Sequence, residues 1–222
     1  MSKNTVGHPK GKPRKSARIV AYEYLRDGIL RGDLFEGMYL DESSVAENLG
    51  ISRTPVREAL RQLSGEKYVS LIPRRGAQVR FISIQEMQEI YEARLLIESA
   101  AVDRICAQDL AVPTNSKDLI AQMNKFAEEQ NWLSFAQTDH LFHSQIVHMY
   151  DNTVLGELYD FLSPRHIRLG VRALERSPDR VPYLHDEHTA LLQAILDKDA
   201  PKAQMFLAEH LRFNPSVASD SS

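Results

Sequence analysis

The 222-residue chain has one cysteine, one tryptophan and no long apolar run. A lone thiol, Cys106, excludes an intramolecular disulfide and cannot build a thiolate metal site by itself. Its place between Ile105 and Ala107 in a helical pattern is that of a small buried residue. No stretch approaches the ~18–20 uninterrupted apolar residues that a membrane span needs. The basic start, MSKNTVGHPKGKPRKSAR, has no apolar segment behind it of the kind that marks a signal peptide. The expectation is a cytoplasmic protein with no membrane partner. Metal-protease chemistry also lacks its signature, since no H-E-x-x-H is present.

The net charge of −3 shows no excess of either sign, but the average conceals an asymmetry. Residues 1–80 hold 15 Lys+Arg against 9 Asp+Glu, a net of +6, and the remainder holds 12 against 21, a net of −9. A basic N-terminal third on an acidic remainder suggests a polyanion-binding module attached to something with another task. Residues 1–15 have almost nothing to bury and read as a disordered basic tail, solvated or adding phosphate contacts. Residues 214–222 read as a second disordered tail.

From Ser16, Ile19, Tyr22, Leu25 and Ile29 recur at helical spacing, and Gly32 stops the helix. In DESSVAENLG, Ser44 and Glu47 have capping-box spacing and Gly50 closes a short helix. ISRTPVREAL follows, with Thr54 before Pro55. That order disfavours helical geometry at 54 and suits the first helical position at 55. Val56, Ala59, Leu60 and Leu63 form its apolar stripe. YVSLIPRRGAQVRFIS reads as two short strands around Arg74-Arg75, with Gly76 free to take the positive φ of a tight turn. Three helices and a hairpin make a winged helix-turn-helix over residues 16–81.

From residue 83 onward the pattern is helical throughout. Six segments are expected at 83–108, 115–129, 131–150, 152–175, 181–198 and 200–212, broken by proline and polar punctuation. Short connections favour antiparallel neighbours, so residues 82–213 read as an antiparallel all-α helical bundle and the whole chain as mainly α.

In a winged helix-turn-helix the N-terminal end of the second helix of the motif enters the major groove of double-stranded DNA. Arg53, Thr54 and Arg57 would sit where base edges come within reach, and arginine's planar fork suits guanine. Arg61, one turn deeper, suits phosphate. Arg74 and Arg75, with Gly76 shaping the turn, would lie along the backbone or minor groove.

These residues carry a specific resemblance. LDESSVAENLGISRTPVREALRQLSGEKYVSLIPRRGAQV is similar to the N-terminal domain of the GntR superfamily of bacterial transcription regulators over about 65 positions, through S-R-T-P-V-R-E-A-L and a terminal R-R-G. Ser43 departs from the pattern, because several relatives have an arginine there that reaches DNA. The operator sequence is therefore not transferable.

Seven of the eight histidines lie in the acidic part. Asp139 and His143 share a helix face with Phe135, Phe142 and Ile146. His188 keeps register with Leu184, Leu191 and Ile195, and His210 with Phe206, Leu207 and Ala203. Four polar groups thus lie on the apolar faces of three helices. Either each makes a satisfied core hydrogen bond, or three imidazoles and a carboxylate hold Zn, Ni, Mn or Fe. His140, His148 and His185 fall off these faces and read as surface residues.

Residues 83–212 resemble the FCD effector domain of the FadR-type branch of these regulators. The matching motifs are Asp139/Phe142/His143, His188/Leu191/Ala194-Ile195 and His210-Leu211. The resemblance implies a divalent metal, zinc foremost, on Asp139, His143, His188 and His210, helping to hold a small carboxylate effector. Six helices resemble the VanR-like subgroup. The acyl-CoA binder that names the branch lacks this set, so its ligand does not carry over. Arg94 shares a face with Met87, Tyr91 and Glu98 and either pairs with Glu98 or forks onto an effector carboxylate. The resemblance favours the second, and Arg165, Arg168 and Arg172 are further candidates.

The implied function is a ligand-responsive transcription regulator, most simply a repressor, binding a near-palindromic operator as a homodimer. A different class, a metal-dependent hydrolase or lyase in a helical bundle with a DNA-targeting N-terminal module, lacks a general base beside the ligands.

Overall fold

The computed structural model describes residues 15–213. Both expected tails, except Lys15 in the first, lie outside these residues. Helix α1 (Ala17–Leu30) is capped by the Ser16 hydroxyl and ends before Gly32, whose φ is +80°. Its Ala21, Leu25 and Ile29 turn inward, while Ile19 is exposed. Strand β1 (Tyr39–Leu40), helix α2 (Glu42–Leu49) and helix α3 (Arg53–Gly65) follow, then strands β2 (Val69–Ile72) and β3 (Gly76–Val79).

Two local expectations change. The carboxylate of Asp41, not Ser44, caps α2, accepting from the Ser43 and Ser44 amides at 3.0 and 2.9 Å. Asp is as good an N-cap as Ser and stands one position before the first helical residue. Helix α3 starts at Arg53, two residues before Pro55. Proline within the first turn removes no helical bond, because those amides have no intrahelical acceptor. Val56, Ala59, Leu60 and Leu63 are all buried, as their spacing predicts.

The sheet has three strands in the order β1-β3-β2, all antiparallel. The two-residue β1 is too short to leave a periodic signal in the sequence. It also explains Gly76, whose φ is +89° and whose missing Cβ would lie 2.3 Å from the Leu40 carbonyl oxygen. Glycine is needed there for both conformation and close approach.

Six helices complete the described residues: α4 (Ile84–Ala107), α5 (Ser116–Glu128), α6 (Trp132–His148), α7 (Thr153–Arg176), α8 (Val181–Leu196) and α9 (Ala200–His210). They match the six expected segments, and α7 runs on through Pro164. Cys106 is only partly buried. Among the described residues, no helix is long and apolar enough to cross a membrane.

Two main cores form. The N-terminal core of Leu25, Val56, Leu60, Leu63, Val69 and their neighbours extends onto Ala136, Ile167 and Val171 of α6 and α7. The bundle core is built on residues such as Ile105, Phe142, Leu191, Ile195 and Leu207. The chain is therefore a mainly α protein, a winged helix-turn-helix packed directly against the helical bundle.

Candidate functional site

The structure gathers Arg53, Arg57, Arg61, Arg74, Arg75 and Gly76 around one concavity between α3 and the wing. Five arginines on a single surface oppose self-association and favour a polyanion. Thr54 is exposed beside them but does not line this concavity. Arg57 has a partner that its spacing did not suggest, since its Nη2 donates to the Glu42 carboxylate at 2.7 Å. A solvent-exposed pair of this kind is weak and readily exchanged for another anion.

The four in-register groups of the bundle meet. Single ligand atoms of Asp139, His143, His188 and His210 all lie within 4.8 Å of one another. His143 Nε2 is 3.3 Å from His188 Nε2 and 3.1 Å from His210 Nε2. Asp139 Oδ1 is 2.9 Å from His188 Nε2.

The far sides of the rings decide their chemistry. His143 Nδ1 donates to Glu98 Oε2 at 2.7 Å, and His210 Nδ1 to Glu187 Oε2 at 2.9 Å. A carboxylate only accepts, so Nδ1 is the donor in each ring and Nε2 is the nitrogen turned inward. Two inward Nε2 atoms 3.1 Å apart and an adjacent carboxylate form a donor set that a divalent cation fits. The outer carboxylates are of the kind that orient imidazole ligands.

Burial and neighbours push the titrating groups strongly. Burial would raise the Asp139 carboxyl, but the imidazoles of His166 and His188 hold it well below the usual carboxylate range. His210 is lowered to about 4 by burial and then by His188. His166 is lowered to about 4 by burial and the Arg94 charge. Glu98 remains ionised despite complete burial because Arg94 and His143 stabilise its charge.

Of the two readings left open by its spacing, Arg94 makes the pair with Glu98. Its Nε donates to Glu98 Oε1 at 2.9 Å, and its Nη1 to His166 Nε2 at 2.6 Å. Its buried Nη2 has no partner. The side chain lines a cavity of about 120 Å³ that also touches Asp139, His166 and His210. The other arginine candidates divide. Arg172 lines the same cavity, whereas Arg165 lies 3.6 Å from Glu86 and Arg168 donates to Glu36 Oε1 and the Arg80 carbonyl, both at 2.9 Å.

Sequence reasoning missed three participants. His166 is buried and lies 3.3 Å from Asp139 Oδ2. Its register with Tyr159 and Leu169 on α7 was the available signal. Tyr159 donates to Glu98 Oε1 at 2.7 Å, and Glu187 supports His210. His140 is no surface residue, because it stacks on Tyr159 at 5.6 Å and its Nδ1 lies 3.3 Å from His166 Nδ1. His185 is half-buried against Asn124, while His148 is exposed.

The comparisons with known proteins agree with this architecture. The model of bacterial regulatory proteins of the gntR family matches residues 19–79, and that of the FCD domain matches residues 89–213. The gluconate operon transcriptional repressor of Bacillus subtilis is 33% identical over 203 residues, covering 88% of this chain and 81% of its own. The transcriptional repressor GlaR of Escherichia coli is 26% identical over 199 residues, covering 86% and 90%. Among solved structures, E. coli McbR/YncC aligns with a TM-score of 0.67 at 26% identity, over 89% of this chain and 94% of that one. A GntR protein of Rhodococcus sp. RHA1 aligns at 0.76 and 21% identity, with the same coverage. With two domain models and a relative aligned over 88% of the chain in agreement, the chain belongs to the GntR family, with an FCD domain of the FadR-type branch, and is a transcriptional regulator rather than an enzyme.

Proposed function

We propose that this regulator represses transcription from a near-palindromic operator, and that a small carboxylate metabolite bound beside a divalent metal in the bundle releases it. Arg53, Thr54 and Arg57 read base edges in the major groove. Arg61, Arg74 and Arg75 hold phosphate, and Gly76 shapes the wing. Asp139, His143, His188 and His210 hold the metal, with zinc the first choice for three imidazoles and one carboxylate. The metal would supply a fixed positive charge at the cavity's end, and Arg94 Nη2 would donate to the effector carboxylate.

The observation that carries this reading lies on α7. His166 touches Asp139 and Arg94, while Arg168, two residues on, holds Glu36 and the Arg80 carbonyl of the DNA-binding head. One helix thus contacts both sites, and a ligand that shifts it biases the head. Coupling of this kind is reciprocal, so operator DNA should weaken effector binding.

A homodimer supplies the two heads that a two-fold operator needs. Val154, Leu158 and Phe161 form an exposed apolar row on α7 that suits a second copy. The division between head and bundle falls near residue 82, and the protein acts in the cytoplasm.

The test is a mobility shift on the chain's own upstream DNA, with zinc or chelator and a panel of carboxylic acids. Release by an acid only in the presence of metal supports the reading. Operator binding indifferent to every acid and to metal would sink the effector half of it.

A further inference from the structure

We infer that Glu42 sets the specificity of the DNA-binding head: its carboxylate holds the Arg57 guanidinium by one edge, leaves the other edge for guanine, and opposes phosphate at the same place. The inference rests on the proposed reading of DNA by Arg57 and adds a positioning residue to it.

Helix α2 opens with two acidic residues that have different tasks. Asp41 is the cap, accepting from the Ser43 and Ser44 amides and, at 3.1 Å, from the Ser44 hydroxyl. Glu42, the first helical residue, is not needed for that and reaches α3, fifteen positions on. Its Oε1 and Oε2 each accept from Arg57 Nε at 3.0 Å, and Oε2 also accepts from Arg57 Nη2 at 2.7 Å. The Glu42 side chain is 21% exposed and that of Arg57 56%, so the carboxylate is the more deeply seated partner. Both line the concavity shared with Arg53, Arg61, Arg74 and Arg75. Hydrogen bonding from Arg57, with the charge of Arg53 adding to it, holds the Glu42 carboxyl below the usual carboxylate range. An ionised acid here lowers the pull of the whole surface on a polyanion. The cap does not require it, and its partner is a DNA-reading arginine.

The geometry of the pair divides the guanidinium in two. Arginine has five N–H donors in a rigid plane. Glu42 takes the Nε hydrogen and one on Nη2, which leaves both hydrogens on Nη1 and the second on Nη2. These form a fork that can donate to guanine O6 and N7 together.

The two kinds of DNA contact therefore respond to Glu42 in opposite ways. Guanine acceptors are neutral and take the free fork with the carboxylate still in place. An arginine already held in one pose also loses less side-chain freedom on binding. A phosphate brings a second negative charge against Glu42 and must displace it or sit beside it. The exposed pair is weak enough to exchange, so Glu42 biases Arg57 rather than blocking it. A bias of this size corresponds to roughly three- to tenfold in the preference for base over phosphate.

The experiment measures affinities of the full chain for two duplexes at several salt concentrations: the one that wild-type protein enriches from a random pool, and a scrambled copy. Glu42→Gln keeps an acceptor and removes the charge. It should lower the affinity ratio about three- to tenfold, chiefly by tightening the scrambled duplex, and steepen the salt slope there by about one. Arg57→Ala should also lower the ratio, and Glu42→Gln added to it should change the ratio no further. A wild-type ratio in Glu42→Gln with a reduced one in Arg57→Ala overturns the inference and leaves Arg57 as a reader; a lowered thermal midpoint alongside that result makes Glu42 a structural tie between α2 and α3. An equal effect of Glu42→Gln with and without Arg57 overturns it as well. An unchanged ratio in Arg57→Ala, or no duplex enriched by the wild-type chain, removes the reading beneath the inference and the inference with it.

Discussion

His143 and His210 face each other Nε2 to Nε2 at 3.1 Å, while the opposite nitrogen of each ring is held by a carboxylate. Two ring nitrogens and the Asp139 carboxylate thus converge inside the bundle. Metal should therefore stabilise this protein as well as serve its ligand, and the first prediction follows from that. Purified protein should contain about one divalent ion per chain by elemental analysis, and chelation should lower the thermal midpoint. His143→Ala with His188→Ala should abolish the metal content while leaving operator binding of the metal-free form largely intact. Glu187→Gln should leave the four ligands in place but weaken metal binding about 10–100-fold. Wild-type protein that folds well and takes up no metal on reconstitution would count against the site.

Reading of the operator should depend on α3 more than on the wing. Arg53→Ala with Arg57→Ala should reduce specific affinity by at least ~10–100-fold, with the salt-dependent background largely kept. Arg75→Ala should weaken binding about equally on all sequences and lower the salt slope by about one. Quantitative mobility shifts on operator and scrambled DNA at several salt concentrations separate the two effects. Sequence-specific binding that survives in the double mutant removes those residues from the reading surface.

Acid should destabilise the metal-free protein well before ordinary carboxylates titrate. His166 and His210 are lowered from 6.5 to about 4, and His140 from 6.5 to about 3. The unfolded chain then binds more protons than the folded one once the pH drops below about 6.5. Stability is complete above that value and is lost as pH falls toward 4, by up to ~1.4 kcal/mol per pH unit for each proton. Urea unfolding of chelator-treated protein between pH 7.5 and 4.5 measures this. Zinc-loaded protein should hold its stability further into acid, because ligated imidazoles cannot accept protons. A flat profile without metal would contradict the buried neutral histidines.

The contact between head and bundle should carry the coupling. The Arg168 side chain is 7% exposed and donates to Glu36 Oε1 at 2.9 Å. Glu36→Gln replaces that acceptor's charge and should cost about 1–3 kcal/mol. It should also reduce the ratio of operator affinities measured with and without effector. Both affinities shifting together, with an unchanged ratio, would place the coupling elsewhere.

Much of this architecture is written locally. The α3 stripe, the six bundle segments and the four donors on apolar faces are periodic features, and a helix face is legible from spacing alone. Single polar groups with long-range partners are not. Nothing near Arg57 in sequence indicates Glu42, and β1 exists only because β3 passes beside it. His140 looked exposed because it lies off the His143 face, and α7 then crosses over it to bury it. Asp41 replaced Ser44 as the cap because two good capping residues compete within one turn and local geometry decides between them.

The sequence by itself determined the winged head, the helical bundle and the identity of the four candidate ligands, because periodicity and short motifs constrain each helix separately. Only the tertiary structure decided what surrounds them. It turned the His143 and His210 Nε2 atoms inward through Glu98 and Glu187, set His166 against Asp139 and Arg94, and left Arg94 one buried nitrogen without a hydrogen-bond partner. It also placed His166 and Arg168 on one helix, facing the bundle site and the DNA-binding head respectively. These relations join residues up to 136 positions apart, as in the Arg172–Glu36 pair, and they arise when packed helices fix their mutual orientation.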